Sequence, residues 1–258
     1  MDLGIRRRKA LLTGASRGLA KAAALALARD GVDITILART RETLERTADE
    51  TRALGVKVTA VAGDVTTAAG RSAALAACPA PDILINSADG SLPGDFRNYT
   101  RADWLAALDA MMLAPIEMMR ATVDGMMARK FGRIVNISSR SAKIAQHENS
   151  LSNGARSGLI GFVAGLSRQT VEHNVTINNI LPGIFDTDAQ KRHIEVLVRD
   201  TGKPFEQIWA ERAASNPAKR YGRAEEFGAY CAFLCSAQAG FITGQNLLID
   251  GGSYPGTY

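Results

Sequence analysis

The sequence predicts an α/β protein: one doubly wound parallel sheet of about seven strands with helices on both faces. Three observations predict it. Short apolar runs alternate with longer helical patterns, the order that a parallel sheet with crossover helices requires. The apolar runs are nearly continuous rather than alternating, as in strands covered on both faces. No linker, repeat or low-complexity tract divides the 258 residues, which are enough for one large domain, 1–258, with a well-buried core.

KALLTG at 9–14 has the form of a strand entering a turn, and KAAALALARDG at 21–31 that of a helix closed at Gly31. DITILA at 33–38 is the second strand, and RETLERTADETRALG at 41–55 an amphipathic helix closed by a glycine. KVTAVAGDV at 57–65 and DILINSA at 82–88 are the third and fourth strands. One long helical stretch covers about 101–129 before GRIVNISS at 132–139, the fifth strand. LSNGARSGLIGF at 151–162 opens a helix that runs to about His173, and VTINNILPG at 175–183 is the sixth strand. Residues 186–215 are polar and helical in pattern. They interrupt the β–α alternation, so they are expected to form a mobile substrate lid. EEFGAYCAFLCS at 225–236 is a helix, and QNLLIDGG at 245–252 contains the last strand.

Hydrophobic residues make up 46% and charged ones 22%, proportions of a soluble globular protein. The formal net charge of +5 is spread along the chain apart from RRRK at 6–9. Such a balance welcomes phosphate-bearing ligands, but no nucleic-acid-binding motif accompanies it, so no nucleic-acid partner is expected. Cys78, Cys231 and Cys235 lack metal-ligand spacing and are expected to be buried apolar thiols in a reducing compartment; no metal is expected. RRRK is followed by only ALL before TG interrupts the apolar run, and nothing approaches the ~20 apolar residues of a membrane span. A cytoplasmic protein without a membrane partner is expected.

TGASRGLA at 13–20 follows the first strand and opens the first helix. Gly14 permits a tight turn, Gly18 lets the backbone approach a ligand, and the helix N-terminus offers unpaired N–H groups to a pyrophosphate. This spacing resembles the TGxxxGxG fingerprint of the short-chain dehydrogenase/reductase family, with Ala20 at the last glycine, and SNGARSGL at 152–159 is similar to a stretch found in sequences that resemble the 3-oxoacyl-acyl-carrier-protein reductases. DV at 64–65, NSA at 86–88, GRIVNISS, LPG at 181–183 and GQNLLIDGG fall in the family's order over essentially the whole chain. The resemblance implies a Rossmann fold and a nicotinamide cofactor. In the cofactor site it places Gly14, Ser16, Arg17, Gly18 and Leu19 of the loop, Asp64 and Val65 beside the adenine, and Asn86 and Ala88 at the end of the fourth strand. Pro182, Gly183 and Thr187, matching PGxxxT, fall at the nicotinamide end. The second strand ends ILART, with no acid to accept a ribose 2′-OH. Arg39 and Arg17 are either solvated surface arginines or a bracket for a 2′-phosphate, which their fork of donors suits. NADP(H) is therefore expected over NAD(H).

The family ends its fifth strand with a serine. Thirteen residues later comes a tyrosine, the proton donor, and four after that a lysine that binds the nicotinamide ribose. Laid on this sequence, the pattern falls on Ser139, Ser152 and Arg156. Two further departures stand nearby: Asp89 replaces the glycine of NNAG, and Met111 in LDAMML replaces an asparagine that supports a water relay. A serine hydroxyl is far less acidic than a phenol and needs help to donate or accept a proton. Arg156 cannot be the base, but it can hold a phosphate, ribose or carboxylate, or stabilise an oxyanion.

Candidate substitutes lie in SAKIAQHENS. His147 is either an exposed loop histidine or a titrating acid/base group, and Lys143 either a solvated lysine or the missing cation. Asp89 is a base or a surface carboxylate, and Tyr254 and Tyr258 of the tail are further candidates to reach a site. Phe96, Trp104, Phe185 and Trp209 are either core or the lining of an apolar pocket.

The expected function is that of an NADP(H)-dependent oxidoreductase that reduces a carbonyl, or oxidises an alcohol, with an atypical proton donor. The alternatives are a catalytically silent nucleotide-binding homologue and a non-redox isomerase or lyase on the same scaffold. The resemblance implies a homotetramer or homodimer, built on the helices at 101–129 and 150–173 and the C-terminal strand.

Overall fold

Seven strands, β1 (Lys9–Thr13), β2 (Asp33–Ala38), β3 (Val58–Ala62), β4 (Ile83–Asn86), β5 (Gly132–Ile137), β6 (Val175–Pro182) and β7 (Asn246–Ile249), form one parallel sheet. Their order is β3-β2-β1-β4-β5-β6-β7, in a computed structural model that describes residues 1–257. The chain winds outward from β1 to β3, then returns to lay β4 on the other side of β1. The carboxyl ends of β1 and β4 therefore open a crevice at the point where the winding reverses, the usual ligand position in such sheets.

The central strands carry the apolar runs because both their faces are covered: Leu11, Leu12, Leu84 and Ile85 are fully buried. The edge strands β3 and β7 depart from the expected double burial; every residue of β7 is partly exposed.

Nine helices cover the two faces among the described residues: α1 (Gly18–Arg29), α2 (Arg41–Arg52), α3 (Ala68–Ala77), α4 (Arg101–Leu108), α5 (Ala114–Ala128), α6 (Ser150–Thr170), α7 (Asp188–Thr201), α8 (Phe205–Ser215) and α9 (Ala224–Leu234). One core layer joins α1, α2 and α9 to the sheet, and a second joins α3, α5 and α6. Small residues let α1 and α9 approach: a Cβ on Gly228 would lie 2.5 Å from the Ala22 carbonyl oxygen.

Two elements differ from the sequence expectation. α3, AAGRSAALAA, has no clear apolar period; it is fixed by a cap in which Thr67 Oγ1 accepts from the Gly70 N–H at 3.0 Å. The stretch expected as one helix over 101–129 contains a π-helical turn at Asp109–Leu113 between α4 and α5. That turn buries Met111 in a small cluster with Ala107, Leu151 and Ala155, so the position expected to relay water in the family is an apolar plug against α6.

Buried amides tie the carboxyl half of the sheet. Asn86 Nδ2 donates to Asn136 Oδ1 at 2.9 Å, Asn136 to Asn179 at 3.0 Å, and Asn179 to Asn246 at 2.8 Å. These four residues are in register across β4–β7, so one line of amides locks four strands. Among the described residues no helix is long and apolar enough to cross a membrane, and no group of His, Cys, Asp or Glu is arranged to hold a metal ion.

Candidate active site

A cleft of about 470 Å³ occupies the crevice. Thr13, ending β1, fixes its floor: its hydroxyl donates to the Ser87 carbonyl at 2.8 Å and accepts from the Ser87 N–H at 2.9 Å. Gly14 follows at φ +62°, where a Cβ would sit 2.7 Å from the Ser87 oxygen, so both backbone conformation and space demand glycine. Gly18 has φ +60° and nothing within 4 Å of a built Cβ. It stands at the first residue of α1, and the cleft is open above it. α1 has no acidic residue in its first turn, so its N–H groups face the cleft without a competing anion from their own helix.

Ser16, Leu19, Val65, Ala88 and Pro182 line the same cleft, together with Thr187, whose hydroxyl caps α7 by accepting from Gln190 N–H at 3.3 Å. Asp64 also lines it. Burial opposes ionisation of its carboxyl, but hydrogen bonds from Thr66 N–H and Oγ1, and the charge of Arg39, hold it below its ordinary value. Asn86 and Gly183 stand behind the surface. Asn86 heads the amide line, its Oδ1 buried without a partner among the described residues, and Gly183 is pressed against Asp250, whose Cα would be 2.7 Å from a Cβ.

Arg17 and Arg39 meet at one end of the cleft. Both are ion-paired to Asp89, at 3.6 Å and 2.7 Å, and Arg192 of α7 joins the same carboxylate at 3.6 Å.

A buried polar cluster adjoins the cleft, which it reaches through Ser138 and Arg156. Arg156 and Ser152 are each 8% exposed and one turn apart on α6. Arg156 Nε donates to Ser152 Oγ at 3.0 Å, and its Nη1 donates to the Ile137 carbonyl at 3.1 Å, which anchors the guanidinium to the end of β5. Ser141 Oγ lies 3.5 Å from Ser152 Oγ. Ser139 Oγ accepts from the Ser141 N–H at 3.1 Å, and the neighbouring Ser138 Oγ is buried without a partner among the described residues. Burial pushes the Arg156 guanidinium down to about 10, so it remains a cation at neutral pH.

The structure thus brings Ser139, Ser152 and Arg156 together, with Ser141, and does not bring Lys143 or His147 into that cluster. The His147 side chain is wholly exposed and paired with Glu148 at 3.2 Å. Lys143 is exposed, its Nζ 5.4 Å from the centre of the Tyr254 ring. Tyr258 lies outside the described residues. Of the bulky candidates, Phe96 is exposed, Trp104 packs on the Met111 cluster and Phe185 packs edge-on to Phe227. Trp209 stacks between Phe205 and Tyr221 within the 186–215 region and its flank.

Sequence reasoning missed Ser141, whose only signal was its place two residues after Ser139. It also missed His193, which nothing in the polar 186–215 segment marks. Burial, then the charges of Arg212 and Arg140 with Glu148 opposing, push His193 down to about 4.

The family described as enoyl-(acyl carrier protein) reductase matches residues 14–254. The chain is 32% identical to the NADPH-dependent reductase BacG of Bacillus subtilis, over 96% of this chain and 98% of that protein. It is 31% identical to the acetoacetyl-CoA reductase of Cupriavidus necator, over 96% and 99%. The fold superposes on L-sorbose reductase of Gluconobacter frateurii, solved with NADPH and L-sorbose, with a TM-score of 0.93 and 28% identity over 99% of this chain and 100% of that one.

Proposed function

The chain belongs to the short-chain dehydrogenase/reductases, and from that premise we propose an NADP(H)-dependent oxidoreductase that reduces a carbonyl, or oxidises the alcohol, through Ser152 and Arg156. NADP(H) comes to this chain from two sources: the NADPH named for its relatives, and a cleft whose residues fit the nucleotide. Gly18 leaves space at a helix N-terminus for the pyrophosphate, and Arg17 and Arg39 supply two forks of donors for the 2′-phosphate. Gly14, Ser16, Leu19, Asp64, Val65, Ala88, Pro182 and Thr187 complete its bed.

One observation carries the chemical reading: the buried line from Arg156 Nε through Ser152 Oγ to Ser141 Oγ. The nicotinamide supplies the hydride. Ser139 holds the substrate carbonyl. Because Arg156 donates to Ser152 Oγ, the serine proton points away from the guanidinium, toward Ser141 or a substrate oxygen. Ser152 gives that proton to the oxygen that becomes the hydroxyl. The adjacent cation stabilises the serine oxygen left behind, and Ser152 is reprotonated from solvent through Ser141. Lys143, His147 and Asp89 are not needed for this route.

Titration with NADPH and NADH, followed by nicotinamide fluorescence and then by turnover on a panel of carbonyl compounds, tests the reading. NADPH binding with turnover that Ser152→Ala abolishes is expected. Binding without turnover on any carbonyl favours a silent nucleotide-binding homologue, the reading that the absent tyrosine supports. Installing Ser152→Tyr with Arg156→Lys then asks whether that pair is the whole deficit. Failure to bind either nucleotide overturns the proposal and leaves non-redox chemistry.

The 186–215 region, carrying α7 and α8, acts as the substrate lid on this reading. Leu105 on α4, Leu113 at the end of the π-turn and Phe162 on α6, 48%, 42% and 37% exposed, and the half-covered β7 support assembly of a homotetramer or homodimer. Light scattering on the eluted protein checks it; a monomer refutes it. The free, buried thiols of Cys78, Cys231 and Cys235 suit a cytoplasmic protein.

A further inference from the structure

Asp89 takes the fourth place of NSAD, directly after β4, and its carboxylate is held from three sides. Oδ2 lies 2.7 Å from Arg39 and 3.6 Å from Arg17, and Oδ1 lies 3.6 Å from Arg192. The three cations come from three elements: the glycine loop, the end of β2 and helix α7. All four residues line the cleft. No other acid among the described residues forms an ion pair with Arg17, Arg39 or Arg192. The network therefore ties three elements together at that end of the cleft, with one anion at its centre and an excess of two positive charges. A phosphate monoester carries about −1.5 to −2 at neutral pH, the complement of that excess.

We propose that Asp89 is an internal counter-anion of the nucleotide site, which occupies the 2′-phosphate-binding arginines in the free protein and is displaced from them by the phosphate. The exchange conserves charge pairing. The phosphate takes Arg17 and Arg39, and Asp89 keeps Arg192. The cost is affinity, because part of the phosphate's interaction replaces an existing pair instead of adding to it. The partners are about half exposed, so each pair weighs modestly and remains displaceable. Asp89 is thus a positioning residue that sets nucleotide affinity. This inference rests on the NADP(H) reading of the cleft.

The test uses 2′,5′-ADP, which carries the 2′-phosphate without the nicotinamide, with 5′-AMP as control. Binding to the whole protein is measured by calorimetry. Asp89→Asn is expected to tighten 2′,5′-ADP by roughly three- to tenfold while leaving 5′-AMP within about twofold. Asp89→Gly repeats the test with the carboxylate and its stem both removed. Arg192→Gln is expected to act in the opposite direction, because Asp89 then has only Arg17 and Arg39 to hold and surrenders them less readily. Unchanged or weakened 2′,5′-ADP binding in both Asp89 variants overturns the counter-anion role, as does tightening in Arg192→Gln. If wild type and variants all fail to bind 2′,5′-ADP, the NADP(H) reading of Arg17 and Arg39 falls, and the role of Asp89 falls with it.

Discussion

Arg156 Nε donates to Ser152 Oγ at 3.0 Å from one turn further along α6, and burial lowers the ionisation of the guanidinium. The arrangement separates two jobs. Nη1 anchors the cation to the Ile137 carbonyl, and Nε orients the serine. Ser152→Ala is expected to lower turnover by ~10²- to 10⁴-fold, the weight of a positioned proton donor, while NADPH affinity stays within about twofold. Arg156→Lys keeps the charge but replaces a planar fork with a single ammonium, which cannot reproduce both bonds in that geometry. Turnover is expected to fall there too, and a wild-type rate in either variant would remove the pair from the mechanism.

The seven strands were legible because the central ones are buried on both faces and so write themselves as unbroken apolar runs. The family resemblance picked out Ser139, Ser152 and Arg156, and only the four-residue spacing of Ser152 and Arg156 on one face of α6 follows from helix geometry. Other features had no local signature. The π-turn at Asp109–Leu113 is a change in backbone hydrogen bonding that no residue type demands. α3 is built mostly of alanine, which marks no face strongly. Asp89 looked like a base or a surface acid, since only the folding of three distant segments brings Arg17, Arg39 and Arg192 to it. β7 looked buried because Leu247, Leu248 and Ile249 are apolar, yet it stands at the sheet edge.

His193 gives stability a pH dependence. Its ordinary value of 6.5 falls to about 4 in the folded protein, chiefly through burial. Between those values the unfolded chain binds a proton that the folded one refuses. The contribution is complete above about pH 6.5 and is lost as pH falls toward 4, to a total of up to about 3 kcal/mol. Denaturant midpoints measured across that window should fall more steeply for wild type than for His193→Gln. Parallel curves would show that His193 titrates normally.

The amide line across β4–β7 makes Asn136 a structural weak point. Asn136→Ala deletes the acceptor of Asn86 Nδ2 and the donor to Asn179 Oδ1, both in the interior. Two buried polar groups left unpaired cost about 2–4 kcal/mol. A thermal scan should show the melting temperature lowered by roughly 5–15 °C, and a shift of under about 2 °C would mean that water replaces the missing amide.

Gly228 links packing to the nucleotide cradle. An added Cβ meets the backbone carbonyl of Ala22 at 2.5 Å, and a carbonyl held in α1 cannot swing aside as a side chain does. Gly228→Ala therefore has to push α1 away from α9, at about 1–3 kcal/mol of overpacking. The same helix begins at Gly18, where its free N–H groups face the cleft, so its displacement moves the donors that meet the pyrophosphate. The variant is expected to lose stability in denaturant and to bind 5′-AMP and NADPH more weakly together, because both share that end of α1. Lost stability with unchanged nucleotide affinity would show that α1 pivots about its N-terminus, leaving the cradle where it was.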